Sequence, residues 1–500
     1  MYDYEWDRLR TWLSQYGAID ESVVSAQEIT RLDLSGKSLK ELPESIGILS
    51  HLLVLNLSNN RLTTLPDSMK NLTALKNLDL RRNSFELLPA FIPSLTLTSL
   101  NVSGNKLQKI DILKNAKSLK VLDASANLLS NLENFLSPEN ELRTLNLSSN
   151  FIKNMSPFLS NLSQLERLNM SNNFLVELPQ ELAHLKSIIE LDFSSNKIEK
   201  IESAFFDLEV EEVDLSVNSL KRLTLHSLES LEKLTLDENS FVFLSVDESF
   251  APYLKEFSCD SCSLSRFLLP PSKSLELLCY SSNAIKSIPD EISQYTQLNY
   301  LDLEENAIED FPDSLGNLSN LKTLYVAQNP LTERAMKILE VLSPEICDIR
   351  MKSGITIERA KREELPQMAK LLAVLFAIEK DFAIDYEKQI SAMEALYEDE
   401  RTDLLVAKHE ERVVGMLTMQ RLISSAEGGF VGQIEDLVVY EEFRKMGVGS
   451  RLINKMRAIA QEHHYKRIQL SADVENLNAL AFYNRRGFYK TNLNVYHYIS

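Results

Sequence analysis

The sequence predicts an α/β chain in two parts: a long solenoid of parallel strands, then a compact mixed α/β domain. Three observations lead there. The frame L-x-x-L-x-L-x-x-N-x-L recurs fourteen times between about residues 27 and 345, at spacings of 21 to 23 residues. Such a period marks stacked repeats, each of which can bury its apolar face only against its neighbours. Charge and glycine content then change where the frame stops. Residues 354–500 hold 20 Lys+Arg and 22 Asp+Glu, a net of −2, while the preceding residues carry a net of −17, and 8 of the 13 glycines lie in these last 147 residues. Beyond Gly354 the apolar pattern alternates between strand and helix periods. The expected divisions are a capping helix over 1–26, repeats with their closing cap over 27–345, and a second domain over 354–500.

Composition narrows the function classes. With 44% apolar and 25% charged residues the chain is ordinary globular protein. A net charge of −19 disfavours a general nucleic-acid binder. No run of about 18–20 apolar residues offers a membrane span. The acidic start Met1–Trp6 has no signal-peptide core. Four cysteines cannot form a disulfide scaffold. The expectation is a cytoplasmic protein with no nucleic-acid or membrane partner.

At the N-terminus Tyr2, Trp6, Leu9, Leu13 and Tyr16 share one helical face, as a cap over the open end of an array requires. In each repeat two leucines such as Leu55 and Leu57 alternate as on a strand and point inward. The asparagine that follows (Asn60, Asn83, Asn105, Asn150) can bond backbone groups where the chain leaves the strand. Leu-Pro pairs at Leu42-Pro43, Leu65-Pro66, Leu88-Pro89 and Leu178-Pro179 then turn the chain into a short convex helix or 3₁₀ segment. This frame resembles the leucine-rich repeat family. Thr332–Leu342 reads as the closing helix, stopped by Pro344.

Between the two strand leucines one side chain per repeat points to the concave face. Ten of these fourteen are Asp or Asn, among them Asp79, Asp123, Asp192 and Asp214. Two readings stand: a solvated strand face, or a docking track for a basic protein. Tyr300 and Tyr325 enter where the stripe fails, and that end adjoins the second domain in sequence. The Cys259-x-x-Cys262 pair occupies a strand-leucine slot and an asparagine slot, so it reads as structural. No metal-ligand spacing is present.

In the second domain, strands are expected at Ile355–Ala360, Leu404–Lys408, Arg412–Leu422, Gly432–Val439 and Arg467–Ala472. Helices are expected at Arg362–Glu379, Tyr386–Glu398, Gly447–His464 and Asn476–Arg486, with a final strand pair over Phe488–Ile499. A strand carrying Ile434-Glu435-Asp436-Leu437-Val438-Val439 runs into the loop Arg444-Lys445-Met446-Gly447-Val448-Gly449, an R-x-x-G-x-G turn at a helix start. Unpaired N–H groups and the helix dipole there suit a phosphate. Some 30 residues on comes N-x-x-A-x-x-F-Y-x-x-x-G-F, from Asn476 to Phe488. The two motifs in this order resemble the GNAT acetyltransferase superfamily.

That resemblance implies acetyl-coenzyme A as donor and no metal. It places the pyrophosphate on Arg444, Lys445, Met446, Gly447, Val448 and Gly449, the pantetheine arm along Leu437 and Val439, and a further donor contact at Asn476. It makes Glu435 the base that takes the amine's proton and Tyr483 the acid that protonates the leaving thiolate. By strand alternation Glu435 and Asp436 face opposite sides. Relatives build the acceptor side from the first two helices and last strands, here Phe376–Tyr386 with Glu379, Asp381 and Asp385, and the Gly428–Gly429 hairpin. Three functions follow: an N-acetyltransferase whose repeats recruit a protein acceptor, a small-amine acetyltransferase whose repeats serve assembly or regulation, and a repeat-based binder with a vestigial enzyme domain.

Overall fold

In a computed structural model of the chain the described residues are 2–20, 22–132, 137, 139–155, 162–342, 348–350, 355–376, 385–409, 411–444, 448–472, 476, 479, 480, 482, 483 and 488. They fall into two compact units, the repeats and a unit built mainly from residues 350–488.

Stacked leucines build the first unit. Leu52, Leu55 and Leu57, and their equivalents in the following repeats, are fully buried. Each repeat contributes a three-residue strand, and neighbours run parallel in step, Leu32 opposite Leu55 and Leu55 opposite Leu78. The sheet has fifteen strands, one more than the frame supplies, because Asp348–Arg350 joins it beyond the last repeat. The helix Tyr2–Gln15 buries Trp6, Leu9 and Leu13, and the Trp6 indole N–H donates to the Val24 carbonyl at 3.0 Å. At the far end Glu333–Leu342 is helical and buries Ala335, Leu339 and Leu342.

Buried asparagines tie the repeats together. Asn150 Nδ2 donates to the carbonyls of Leu147 in its own repeat (3.0 Å) and Ala124 in the preceding one (3.1 Å), while its Oδ1 accepts the Leu129 N–H at 3.0 Å. The chain turns there through a left-handed residue just before each asparagine (Asn59, Arg82, Ser149, Asn172, Val217), a conformation most side chains resist and which these bonds hold in place. On the convex side prolines launch 3₁₀ turns at Glu44–Ile48, Asp67–Asn71 and Gln180–His184. The middle repeats lack the Leu-Pro pair, and there Arg222–Leu225 and Phe243–Val246 pair as a two-stranded parallel sheet instead. With no proline to fix φ, their alternating apolar and polar residues extend.

The second unit is a five-stranded sheet between two helical layers. Its elements are β1 (Ile355–Arg359), α1 (Leu365–Phe376), α2 (Tyr386–Glu398), β2 (Thr402–His409), β3 (Arg412–Ser424), β4 (Gly429–Val439), α3 (Val448–Glu462) and β5 (Ile468–Leu470). Sheet order follows the chain; β1 to β4 are antiparallel, and β5 joins β4 in parallel. Val448, Leu452, Ile453 and Met456 of α3 bury Leu405, Leu417, Met419 and Ile434 on one face. On the other, Leu365, Met368, Ala369 and Leu372 of α1 and Met393 of α2 cover Leu404, Val406, Met416 and Val438. Lys408 joins β2 to the start of α1 through Glu358 (2.8 Å) and the buried Glu364 (2.7 Å). The strand pair expected over Phe488–Ile499 lies outside the described residues apart from Phe488.

Candidate functional site

The site is organised by a fault in β4. Thr418 of β3 lies opposite Asp436, yet the next residue, Met419, lies opposite Ile434, so Glu435 is left over. This is a β-bulge, which bends a strand and re-aims its side chains. Alternation fails at this point: Ile434 and Leu437, three apart, both pack on the α3 side, while Val438 packs on the α1–α2 side. Counting back from Val438 puts Asp436 on the α1–α2 face. The opposed-faces expectation for Glu435 and Asp436 is therefore corrected, since Glu435 is the extra residue and is exposed at the bend.

Asp436 is held at two points by one side chain. The fully buried Thr418 hydroxyl donates to Asp436 Oδ2 at 2.8 Å and accepts the Asp436 N–H at 3.1 Å. Burial raises the Asp436 carboxyl above its ordinary value, and the Thr418 bond works against that rise by favouring the ionised form. Glu435 is raised as well, first by partial burial and then by the charge of Asp436. No feature of the sequence pointed to Thr418, which reads there as one more β-branched residue in an apolar strand.

Past the bulge the sheet opens. β5 pairs with β4 only from Gly432 to Ile434, so among the described residues no strand borders Leu437 and Val439 on that side. Their side chains pack on the α3 layer. Arg444 is exposed and its Nε donates to the Val439 carbonyl at 3.0 Å, which ties the loop back to the end of β4. Lys445, Met446 and Gly447 lie outside the described residues. Val448 is buried at the first turn of α3. At Gly449 an added Cβ would come 3.2 Å from the Phe482 ring, so glycine lets that ring approach the helix start.

The second motif carries Asn476 and Tyr483. Asn476 Oδ1 accepts the Ala479 N–H at 3.1 Å, a helix N-cap. The Tyr483 ring meets Phe482 and Phe488 edge-on at centroid distances of 5.5 and 5.9 Å, and the Phe488 N–H donates to the Tyr483 carbonyl. Asp385 is spent as the N-cap of α2, accepting from Lys388 N–H at 3.2 Å, while Glu379 and Asp381 lie outside the described residues. Among the described residues no three His, Cys, Asp or Glu side chains are placed to hold a metal ion.

On the repeats, the concave stripe has a structural cause. All ten Asp and Asn side chains accept the N–H two residues on, as Asp79 does from Arg81 (3.0 Å), Asp123 from Ser125 (3.0 Å), Asp192 from Ser194 (3.0 Å) and Asp214 from Ser216 (2.8 Å). The stripe is thus a run of Asx turns at the strand ends, half-buried in all but the exposed Asp33. Ser258 and Cys279 stand where this acceptor is missing. There Asp237 and Asp260 of the preceding repeats take over, accepting from Asp260 N–H (2.8 Å) and Ser281 N–H (2.6 Å).

Turn geometry needs Asp or Asn; it does not need the charge. In the earlier repeats amides alternate with carboxylates, and Asn101 and Asn169 donate to Asp123 and Asp192 (3.3 and 2.9 Å). From Asp192 onward carboxylates succeed one another. Asp214 is raised by burial and by Asp192, Asp237 by burial and by Asp214, and Asp260 most strongly by burial, then by Asp237 and Asp302. Tyr300 and Tyr325 stand edge to face at 5.4 Å at the end of this run. Cys259 and Cys262 are buried in the repeat core, where the Cys262 thiol donates to the Leu236 carbonyl at 3.1 Å in place of an asparagine.

Comparison with known proteins identifies both parts. A model of the leucine-rich repeat matches residues 27–85, 140–198 and 273–331, and a model of the GNAT acetyltransferase family matches residues 371–488. The chain is a leucine-rich-repeat array joined to a GNAT-family acetyltransferase domain. Its repeats share their fold with a leucine-rich-repeat protein of Leptospira interrogans, at a TM-score of 0.55 and 24% identity, covering 65% of this chain and 96% of that one. N-alpha-acetyltransferase MAK3 of Arabidopsis thaliana is 31% identical over 93 residues, 19% of this chain and 47% of that protein. Streptothricin acetyltransferase A of Bacillus subtilis is 28% identical over 116 residues, 22% of this chain and 62% of that protein. The chain thus spans less than two thirds of the length of either acetyltransferase.

Proposed function

We propose that the GNAT domain moves the acetyl group of acetyl-coenzyme A onto an amine of a protein that the repeats recruit. The observation that carries this reading is the fork in the sheet: β4 leaves β5 after Ile434, and a carboxylate pair stands at the bulge where the strands part. Among the described residues no strand borders Leu437 and Val439, so the Leu437 backbone and the Val439 N–H are offered to an extended pantetheine arm as to a neighbouring strand, the Val439 carbonyl being held by Arg444. The start of α3 at Val448 and Gly449 offers N–H groups to the pyrophosphate, and by the R-x-x-G-x-G motif Arg444, Lys445, Met446 and Gly447 belong to the same site. Asn476 supports the donor arm while capping the helix that carries Tyr483.

Acetyl-coenzyme A supplies an activated acyl group. The chain's residues manage protons around it. An ammonium has no lone pair, so a base must act before or during attack. Glu435, partly exposed at the bend and raised by its partial burial and by the charge of Asp436, takes that proton. As the new C–N bond forms and the C–S bond breaks, the Tyr483 hydroxyl gives a proton to the departing sulfur.

A protein acceptor is favoured because the repeats present a carboxylate run from Asp192 to Asp302 beyond what the turns require, which suits a basic partner. The name of the Bacillus relative points instead to a small molecule, so both acceptor classes belong in the test. Thiol release from acetyl-coenzyme A would be followed on the full chain with polyamines, amino sugars and lysine-rich peptides. Release with peptides at the lower concentration supports recruitment. Release with the small amines alone removes the protein acceptor, and no release with any amine removes the transferase reading.

A further inference from the structure

We infer that Thr418 is a positioning residue for acyl transfer: it clamps Asp436 on the α1–α2 face of the sheet and so leaves Glu435 as the extra residue of the bulge, exposed where an incoming amine reaches it. The inference rests on the transferase reading above and adds a residue to it that neither sequence motif contains.

The geometry sets the division of labour. Thr418 meets Asp436 through both functions of one hydroxyl, donor to the carboxylate and acceptor from the backbone N–H. One side chain thereby fixes the position of the Asp436 backbone and the direction of its carboxylate. A fully buried threonine whose donor and acceptor are both engaged has no freedom to rotate away. The register break follows immediately, since the residue after Thr418 pairs with Ile434 and skips Glu435. With Asp436 pinned across from Thr418, the extra residue must be its neighbour.

The same clamp sets charge. A hydrogen bond to a carboxylate favours its ionised form, and an ionised neighbour opposes ionisation of the next carboxylate. Thr418 thus favours the charged form of Asp436 against its burial, and that charge adds to the partial burial that raises Glu435 above the ordinary carboxylate value. Among the described residues the cross-strand group from β3 is Thr418 itself, the core residues of α1 and α2 on this side are Leu365, Met368, Ala369, Leu371, Leu372 and Met393, with neutral Gln389 also buried on α2, and the charged neighbour on β4 is Glu435.

The test needs no acceptor. Side-chain carboxyl titrations of Glu435 and Asp436 would be read by carbon-13 NMR on the full chain, for wild type, Thr418→Val and Thr418→Ser. Valine keeps the volume and removes both hydrogen bonds; serine keeps the hydroxyl. In Thr418→Val the Asp436 midpoint should rise and the Glu435 midpoint fall, and Thr418→Ser should return both. Once an acceptor is found, the acidic limb of kcat/KM should follow Glu435 to lower pH in Thr418→Val. Midpoints that stay at their wild-type values in a folded Thr418→Val chain overturn the clamp. So does an acidic limb that moves to higher pH, because the working base is then Asp436. If Thr418→Val does not fold, Thr418→Ser against Thr418→Cys gives the same comparison, since a thiol donates more weakly. Failure of the acceptor screen with midpoints that move as stated removes the transferase reading and leaves the clamp standing.

Discussion

Replacing Asp79, Asp123, Asp192 and Asp214 by Asn separates the two jobs of the concave stripe. Each Asn keeps an oxygen to accept the N–H two residues on, so the four turns persist. Asp123 and Asp192 each lose the oxygen that accepts from Asn101 or Asn169, at about 1 kcal/mol apiece. Asp79 loses a partly exposed ion pair with Arg81 at 3.3 Å, costing under about 1 kcal/mol. Asp214 works the other way, since burial and the charge of Asp192 oppose its ionised form and neutralising it returns some stability. The sum is a loss of about 1–2 kcal/mol, small for a long array, against a change in formal net charge from −19 to −15. The variant should therefore melt close to wild type. Association with a lysine-rich peptide, followed by stopped-flow fluorescence at about 0.05 M salt, should slow about tenfold, because clustered charge chiefly raises encounter rates. At about 1 M salt, where screening acts within roughly 3 Å, wild type and variant should coincide. Equal association rates at low salt would refute the docking reading and leave the stripe as turn chemistry alone.

Three further outcomes are expected. Asn150→Ala leaves the Leu129 N–H without its acceptor in the repeat core, while the Ala124 and Leu147 carbonyls keep Asn127 and Asn173 as donors, so urea unfolding should show a loss of about 2–3 kcal/mol, more than that of the four stripe changes together. Tyr483→Phe should lower kcat by about 10²-fold with an unchanged melting temperature, and Glu435→Gln should remove the acidic limb of the rate profile, which in wild type should lie above the ordinary Glu value of 4.5; wild-type rates in both would remove these residues from the chemistry. Stability should rise as pH falls toward the ordinary Asp value of 3.8. Asp214, Asp237 and Asp260 hold protons more tightly folded than unfolded, so their contribution is complete below the ordinary Asp value of 3.8 and is lost as pH climbs through their raised values. Below the ordinary Asp and Glu values of 3.8 and 4.5 the trend should reverse as carboxylates lowered in the fold, such as Asp33 and Glu358, take up protons; melting curves that show no gain as pH falls from neutrality toward those values would contradict the raised directions.

Much of this molecule was legible in one dimension, because its decisive signals repeat or lie close together along the chain. Fourteen copies of one frame oblige a stacked array, since a single copy cannot bury Leu52, Leu55 and Leu57. The Leu-Pro pairs announce the convex 3₁₀ turns, because proline sets φ locally. The loop from Arg444 to Gly449 and the motif from Asn476 to Phe488 mark a GNAT domain for the same reason: a helix start and its glycines act within a few residues. The remainder depended on pairing between distant strands. Whether Asp436 follows strand alternation is set by Thr418, eighteen residues away across a sheet. The need for glycine at 449 comes from Phe482, on another helix. The abundance of Asp and Asn on the concave face left two readings open in sequence, and only the fold shows that each side chain caps a turn. Which carboxylates stand without an intervening amide, from Asp192 to Asp302, became visible only when the repeats were stacked. Periodicity and backbone preference are local and can be read along a chain; register, charge proximity and burial arise between segments and exist only once the chain has folded.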